Sequence, residues 1–208
     1  MIFISLLKIN KNNTGFTLVE VVIAVAIFSI ISLAAFSLIS NYNRTSDLIM
    51  VQLKLQSEGR SSLSQMVNDI RRTSGGSNGA FAIDSAGANS FVFYSNIDSD
   101  SYFEKIEYII EGTELKKSVI KPSGNPLIYD PLNKTTTILS DKIANDTVPL
   151  FDYYDGSYAG TGGSLSLPVD ITTIRFIKIN LILDDNPSAP TSPQAMEAKV
   201  TLRNLKDN

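Results

Sequence analysis

Few side chains in this sequence can do chemistry, and the most conspicuous is one carboxylate. Glu20 stands in the run GFTLVEVVIAVAIFSIISLAAFSLIS as the sole charge between Phe16 and Ser40. A carboxylate at bilayer depth is costly unless it is paired or serves a function. A second group comprises Asn96, Asp98 and Asp100, with Glu107 eleven positions after Asn96. It imitates the ligand spacing of an EF-hand calcium loop. The imitation is partial, because Asn opens it, Ser101 stands where glycine is required, and strand-like sequence flanks it. An acidic hairpin loop is expected there, and no metal ligand is assigned. Asp184-Asp185-Asn186 is explained in the same way, by capping or turn formation. Tyr153, Tyr154 and Tyr158 lie among Gly156, Gly160, Gly162 and Gly163. They suit a carbohydrate or partner surface, and equally a half-buried sheet.

Composition removes much of the remaining chemistry. The 208 residues include no Cys and no His, which excludes thiolate nucleophiles and Fe–S clusters and removes the commonest general base and metal ligand. Eighteen basic against 21 acidic residues leave a net charge of −3 with no polybasic tract, so nucleic acid is not an expected partner. No Ser, Thr or carboxylate pair has a credible activating base. The expectation is a protein that is not an enzyme, with no catalytic residue and no cofactor.

The elements that position Glu20 follow from the apolar run. Residues 16–40 number 25, and about 20 suffice to span a hydrocarbon core as a helix. Lys8 and Lys11 precede the run without an acid, which by the positive-inside rule keeps that flank in the cytoplasm and sends the chain after residue 40 outward. Arg44 weakens the asymmetry slightly. A secretory signal peptide has a shorter apolar core, although Ser32-Leu33-Ala34 could pass as a cleavage site. Neither a signal peptide nor a plain anchor explains Glu20.

Gly15-Phe16-Thr17-Leu18-Val19-Glu20, followed directly by the apolar run, resembles the class III signal of type IV prepilins and type II secretion pseudopilins. The resemblance implies that a membrane-embedded prepilin peptidase cuts between Gly15 and Phe16 and methylates Phe16, leaving Glu20 as the fifth residue of the mature chain. It further implies that Glu20 neutralises the cationic N-terminal amine of a neighbouring subunit, about 6 Å of helix away from its own Phe16, and so sets the filament register. The family usually has Lys or Arg directly before the glycine, whereas this chain has Thr14.

Beyond the apolar run, Leu48, Val51, Leu55, Leu63, Met66 and Ile70 form one helical stripe, and no proline occurs between Phe16 and Arg72. One helix of about 57 residues, roughly 85 Å, is expected. Major pilins often carry a helix-breaking proline where this chain has Ser37, so local melting is less expected. Gly75-Gly76-Ser77-Asn78-Gly79 lacks the lysine and following helix of a P-loop and reads as the helix stop. Strands are expected at Ser90–Asn96, Lys105–Glu111, Glu114–Lys121, Ile174–Leu183 and Met196–Arg203, with a hairpin turn at Gly112-Thr113 and a turn-rich excursion at residues 184–194. The expected class is α+β, a long N-terminal helix packed on an antiparallel sheet. Its domains are a leader at 1–15, a transmembrane or filament-core helix at 16–40, an amphipathic continuation at 41–74 and a β-rich extracytoplasmic domain at 75–208.

Three further segments narrow the resemblance. Gln65-Met66-Val67-Asn68-Asp69-Ile70-Arg71-Arg72, Phe151-Asp152-Tyr153-Tyr154-Asp155-Gly156 and Val200-Thr201-Leu202-Arg203-Asn204 are similar to parts of the J-type minor pseudopilins and the PilW-like minor pilins. The implied function is a structural subunit of a type IV pilus or type II secretion filament. Its implied partners are other pilin or pseudopilin subunits, the prepilin peptidase and the inner-membrane assembly platform. Its implied place is the inner membrane, single-pass, N-terminus inside. Ala24, Ala26, Ala34 and Ala35 would give the close helix contact that such packing needs. Two alternatives use the same anchor: a filament-tip adhesin or DNA receptor, and a membrane-tethered hydrolase, which the missing His and Cys disfavour.

Overall fold

The proline-free sequence after Thr17 folds as the helix α1, Leu18–Arg71, 54 residues. The structure, a computed structural model, describes residues 15–98, 100–185 and 193–205; of Asn41, Asn43, Arg44 and Thr45 it describes the backbone alone. Lys8, Lys11 and Thr14, and residues 186–192 of the turn-rich excursion, lie outside the described residues. The chain divides into two units, residues 1–47 and residues 48–208. Ser37 lies within continuous helix.

In the second unit, α1 supplies one side of a core. Leu55, Leu63, Met66 and Ile70 are buried, while Leu48 and Val51 are half-buried. The gap between Leu55 and Leu63 in the apolar stripe is filled by Gly59, four residues after Leu55 and itself buried. Glycine fits closely there: a Cβ would come within 2.0 Å of Met196 Cε and 2.9 Å of Leu183 Cδ1. Gly59→Val is expected to destabilise this unit by about 1–3 kcal/mol through overpacking. Gly59→Ala should cost less, because the end of Met196 can swing aside and alanine gains about 1 kcal/mol of helix propensity. Denaturant midpoints of the two variants check this, and equal midpoints would contradict it.

Helix α1 ends before the glycine cluster. The Thr73 hydroxyl and amide both donate to the Ile70 carbonyl, at 2.6 and 3.1 Å, and Thr73 bridges to Ser95. The glycines then form the turn that follows, with Gly79 at φ +85° and the Gly76 amide donating to the Ala80 carbonyl at 2.9 Å.

The strands are divided between two antiparallel sheets, each a meander in chain order. The first holds β1 Ile83–Ala86, β2 Ser90–Ser95, β3 Glu104–Glu111, β4 Glu114–Ile120 and β5 Thr135–Ser140. The second holds β6 Phe151–Tyr154, β7 Phe176–Leu183 and β8 Gln194–Thr201. The α+β class and the antiparallel strands agree with the sequence reading, which foresaw a single sheet and missed β1, β5 and β6. Gly112-Thr113 makes the two-residue turn between Glu111 and Glu114, with Gly112 at φ +63°.

Aromatic packing joins the two sheets. Phe91 of β2 lies 5.0 Å from Phe93, 5.5 Å from Phe151 and 5.8 Å from Tyr153, centroid to centroid. The Tyr153 hydroxyl donates to the Gly87 carbonyl at 2.8 Å, so the buried ring keeps its polar end satisfied. Strand β7 alternates half-buried and buried along its length, from Phe176 to Leu183, as expected for a strand with one face on the core.

Candidate functional site

The sequence TLVE dictates how α1 begins. Thr17 is the residue before the first helical turn, and Glu20 is the third within it, the arrangement of a capping box. The Thr17 amide donates to Glu20 Oε2 at 2.8 Å, the Thr17 hydroxyl donates to the same oxygen at 3.0 Å, and the Glu20 amide donates to Thr17 Oγ1 at 3.3 Å. Two amides that would otherwise lack partners at a helix start are thereby satisfied. Sequence reasoning assigned Glu20 to docking and overlooked this local role, although a Thr three positions before a Glu at the head of an apolar run is a recognisable signal.

Four residues of spacing put Glu20, Ala24 and Phe28 on one ridge of the helix, and Phe16, Val21 and Val25 border the same open strip. Phe16 is 87 % exposed. Every described residue from Gly15 to Ser40 is exposed, and Leu18–Ser40 is apolar and long enough to cross a membrane. A helix apolar all round has to be covered by lipid or by other helices. Around Gly15 the space is open, with nothing within 4 Å of the position a Cβ would take. Among the described residues, no packing demands glycine there.

Residues 10–36 match the family described as the prokaryotic N-terminal methylation motif. The N-terminus of the chain carries this methylation motif. The match brackets Gly15, Phe16, Thr17 and Glu20 and runs on into the apolar helix. No curated protein sequence matches the chain. Among solved structures, a chain of the GspK–GspI–GspJ complex of the type 2 secretion system from enterotoxigenic Escherichia coli is similar at 11% identity. The match covers 71% of this chain and 97% of that one, with a TM-score of 0.43.

Away from the methylation motif, the other candidate groups are rearranged by the fold. Glu107 does not join the Asn96–Asp100 loop; it pairs with Lys134 at 2.6 Å. The EF-hand-like set is therefore not brought together. Glu104, the first residue of β3, takes the loop-facing place instead, and its Oε2 accepts the Ile97 amide at 3.0 Å. Burial, with the Asp98 and Asp100 charges adding to it, holds Glu104 above the usual carboxylate range. Asp98 is held below that range by its hydrogen bond from Lys121. Asp185 pairs with Lys142, and Asn186 lies outside the described residues.

The three tyrosines part company. Tyr153 and Tyr154 are buried in β6, so substituting them would test stability before binding. Tyr158 alone is half-exposed, 4.2 Å from the Tyr154 ring and 5.8 Å from Lys199 Nζ. It edges a cleft of about 230 Å³ with Phe176 and Thr201.

Proposed function

We propose that this protein is a minor pilin or pseudopilin. It is made as a precursor, cut between Gly15 and Phe16 by a prepilin peptidase, N-methylated on Phe16, and built into a filament of a pilus or a type II secretion system through α1. The observation that carries the reading is the methylation motif over residues 10–36, set at the head of a helix whose described residues to Ser40 are all exposed. Cleavage releases the Phe16 amine beside the strip of Glu20, Ala24 and Phe28. A neighbouring subunit's amine then pairs with Glu20, while the apolar surface passes from lipid to other helices. Among the described residues no packing accounts for glycine at residue 15, and a peptidase subsite would give it a reason. Before extraction the chain sits in the inner membrane with its N-terminus inside and the sheets outside. Its partners are pilin-like subunits, the peptidase and the assembly platform, and its role is structural, without catalysis.

Mass spectrometry of the N-terminal peptide, from cells with and without a prepilin peptidase, tests this directly. A chain that begins at N-methylated Phe16 only when the peptidase is present is expected. Gly15→Leu should abolish that product and leave the uncut chain in the membrane. A chain that retains residues 1–15 in the presence of the peptidase, or one beginning near Ala35, would overturn the proposal.

A further inference from the structure

Glu104 combines two properties that are hard to reconcile without a ligand. Its side chain is buried, at 0 % relative exposure, yet Oε1 is enclosed with no hydrogen-bond partner. Among the described residues it is the one buried side-chain polar atom left unsatisfied, and such atoms are rare because desolvation goes uncompensated. The other oxygen of the same carboxylate is fixed by the Ile97 amide. One carboxylate oxygen from each of Asp98, Asp100 and Glu104 lies within 4.8 Å of the others. Oxygens bound to one Ca²⁺ at about 2.3–2.6 Å can be as far apart as about 4.6–5.2 Å, so all three fit on one coordination sphere.

The loop is held from several sides. Asn96 Nδ2 donates to the Asp100 carbonyl at 2.5 Å, the Asp100 amide to Asp98 Oδ1 at 3.3 Å, and the Tyr102 amide to Asp100 Oδ1 at 2.7 Å. The Phe103 amide donates to Ser77 Oγ at 2.7 Å, and the Tyr129 hydroxyl to the Phe103 carbonyl at 2.7 Å. The edge of β3 that carries Glu104 is thus anchored to segments remote in sequence. Among the described residues, the cation that pairs with these acids is Lys121, bonded to Asp98 and 3.9 Å from Asp100 Oδ2. Its side chain is 62 % exposed, so it can leave for water when a stronger cation arrives.

We propose that Asp98, Asp100 and Glu104 form a Ca²⁺ site at the β2–β3 loop, in which the metal displaces the Lys121 ammonium and takes Glu104 Oε1 as its buried ligand. An all-oxygen set with solvent access on one side suits a hard cation that keeps part of its water shell. The site lies in the second unit and is independent of what the N-terminal helix does. Three carboxylates at a partly open loop place the affinity with extracellular calcium modules, at a Kd of about 10⁻⁴–10⁻³ M.

The test is calorimetric titration of the full-length protein in detergent with CaCl₂ after chelator treatment, repeated with MgCl₂. Saturable binding of one Ca²⁺ is expected, with little or no response to Mg²⁺ at equal concentration. Asp98→Asn and Glu104→Gln should each weaken binding by about tenfold or more, because the charge count of the ligand set falls. Lys121→Met should tighten it severalfold by removing the competing ammonium, and this variant does not disturb the buried carboxylate. Absence of saturable binding up to about tenfold above that Kd range would overturn the proposal. So would heat that Mg²⁺ reproduces, or an affinity unchanged in Asp98→Asn and Lys121→Met.

Discussion

Replacing Glu20 with valine is expected to leave cleavage after Gly15 at the wild-type level and to reduce incorporation into filaments by about tenfold or more. The sheared filament fraction, compared with the membrane pool by immunoblot, reads the second effect; mass spectrometry of the N-terminus reads the first. The structure adds a complication that a second variant resolves. Glu20 Oε2 already accepts the Thr17 amide and hydroxyl, so valine removes a helix cap as well as a charge. Glutamine also serves at this position of a capping box, but it carries no charge for a neighbour's amine. Glu20→Gln should therefore keep the helix start and still fail in assembly. Normal incorporation of Glu20→Gln, beside failure of Glu20→Val, would reassign Glu20 from docking to capping. Normal incorporation of both would remove the docking role altogether.

The largest effect on stability is expected at Asp69. It is 8 % exposed on α1, as is Lys117 on β4, and the two meet at 2.6 Å. The Tyr108 hydroxyl of β3 donates to the same Asp69 oxygen at 2.5 Å, and burial together with the Asp69 charge pushes the Tyr108 phenol well up. Lys117 Nζ also lies 5.9 Å from the centre of the Tyr108 ring. One carboxylate thus ties the end of the helix to two adjacent strands. Asp69→Ala leaves a buried ammonium without its counter-charge, a loss of about 3–5 kcal/mol. For a domain of this size that lowers Tm by roughly 6–20 °C.

Breaking a buried pair and replacing it are different experiments. Exchanging both partners for apolar residues of similar size is often neutral or stabilising. The double variant Asp69→Leu with Lys117→Met should therefore recover much of the loss, apart from the Tyr108 hydroxyl left without an acceptor. A thermal-denaturation cycle of the two single variants and the double variant measures the coupling. Additive losses would show that the pair does not hold the helix to the sheet.

Much of this architecture was legible before any coordinates. Helix α1 could be read because its signals are local: an uninterrupted apolar run, then a stripe at helical spacing, with no proline. The β3–β4 hairpin could be read from Ile106, Tyr108 and Ile110 alternating up to Gly112-Thr113. Strand β5 could not, because Thr135, Thr136 and Thr137 at a sheet edge are exposed on both faces and show no alternation. Strand β6 hid behind neighbouring glycines and read as an aromatic patch. The EF-hand-like spacing from Asn96 to Glu107 is not realised, and Glu104 stands at the loop instead, for a related reason. Alternation along β3 places neighbouring acids on different sides, and only strand register shows which of them faces the loop.

By itself, the sequence determined the N-terminal methylation motif, the apolar helix that follows it and the α+β class. Each depends on residues close together in the chain, where spacing and periodicity are enough. Tertiary structure decided the division into two sheets, the close fit of Gly59 against Met196, and the Asp69–Lys117–Tyr108 cluster. It also chose which acid joins Asp98 and Asp100. Apart from that last, local choice, these depend on which side chains meet between segments far apart in the chain. Burial then makes each meeting consequential, because a buried charge or an enclosed oxygen must find its partner within reach.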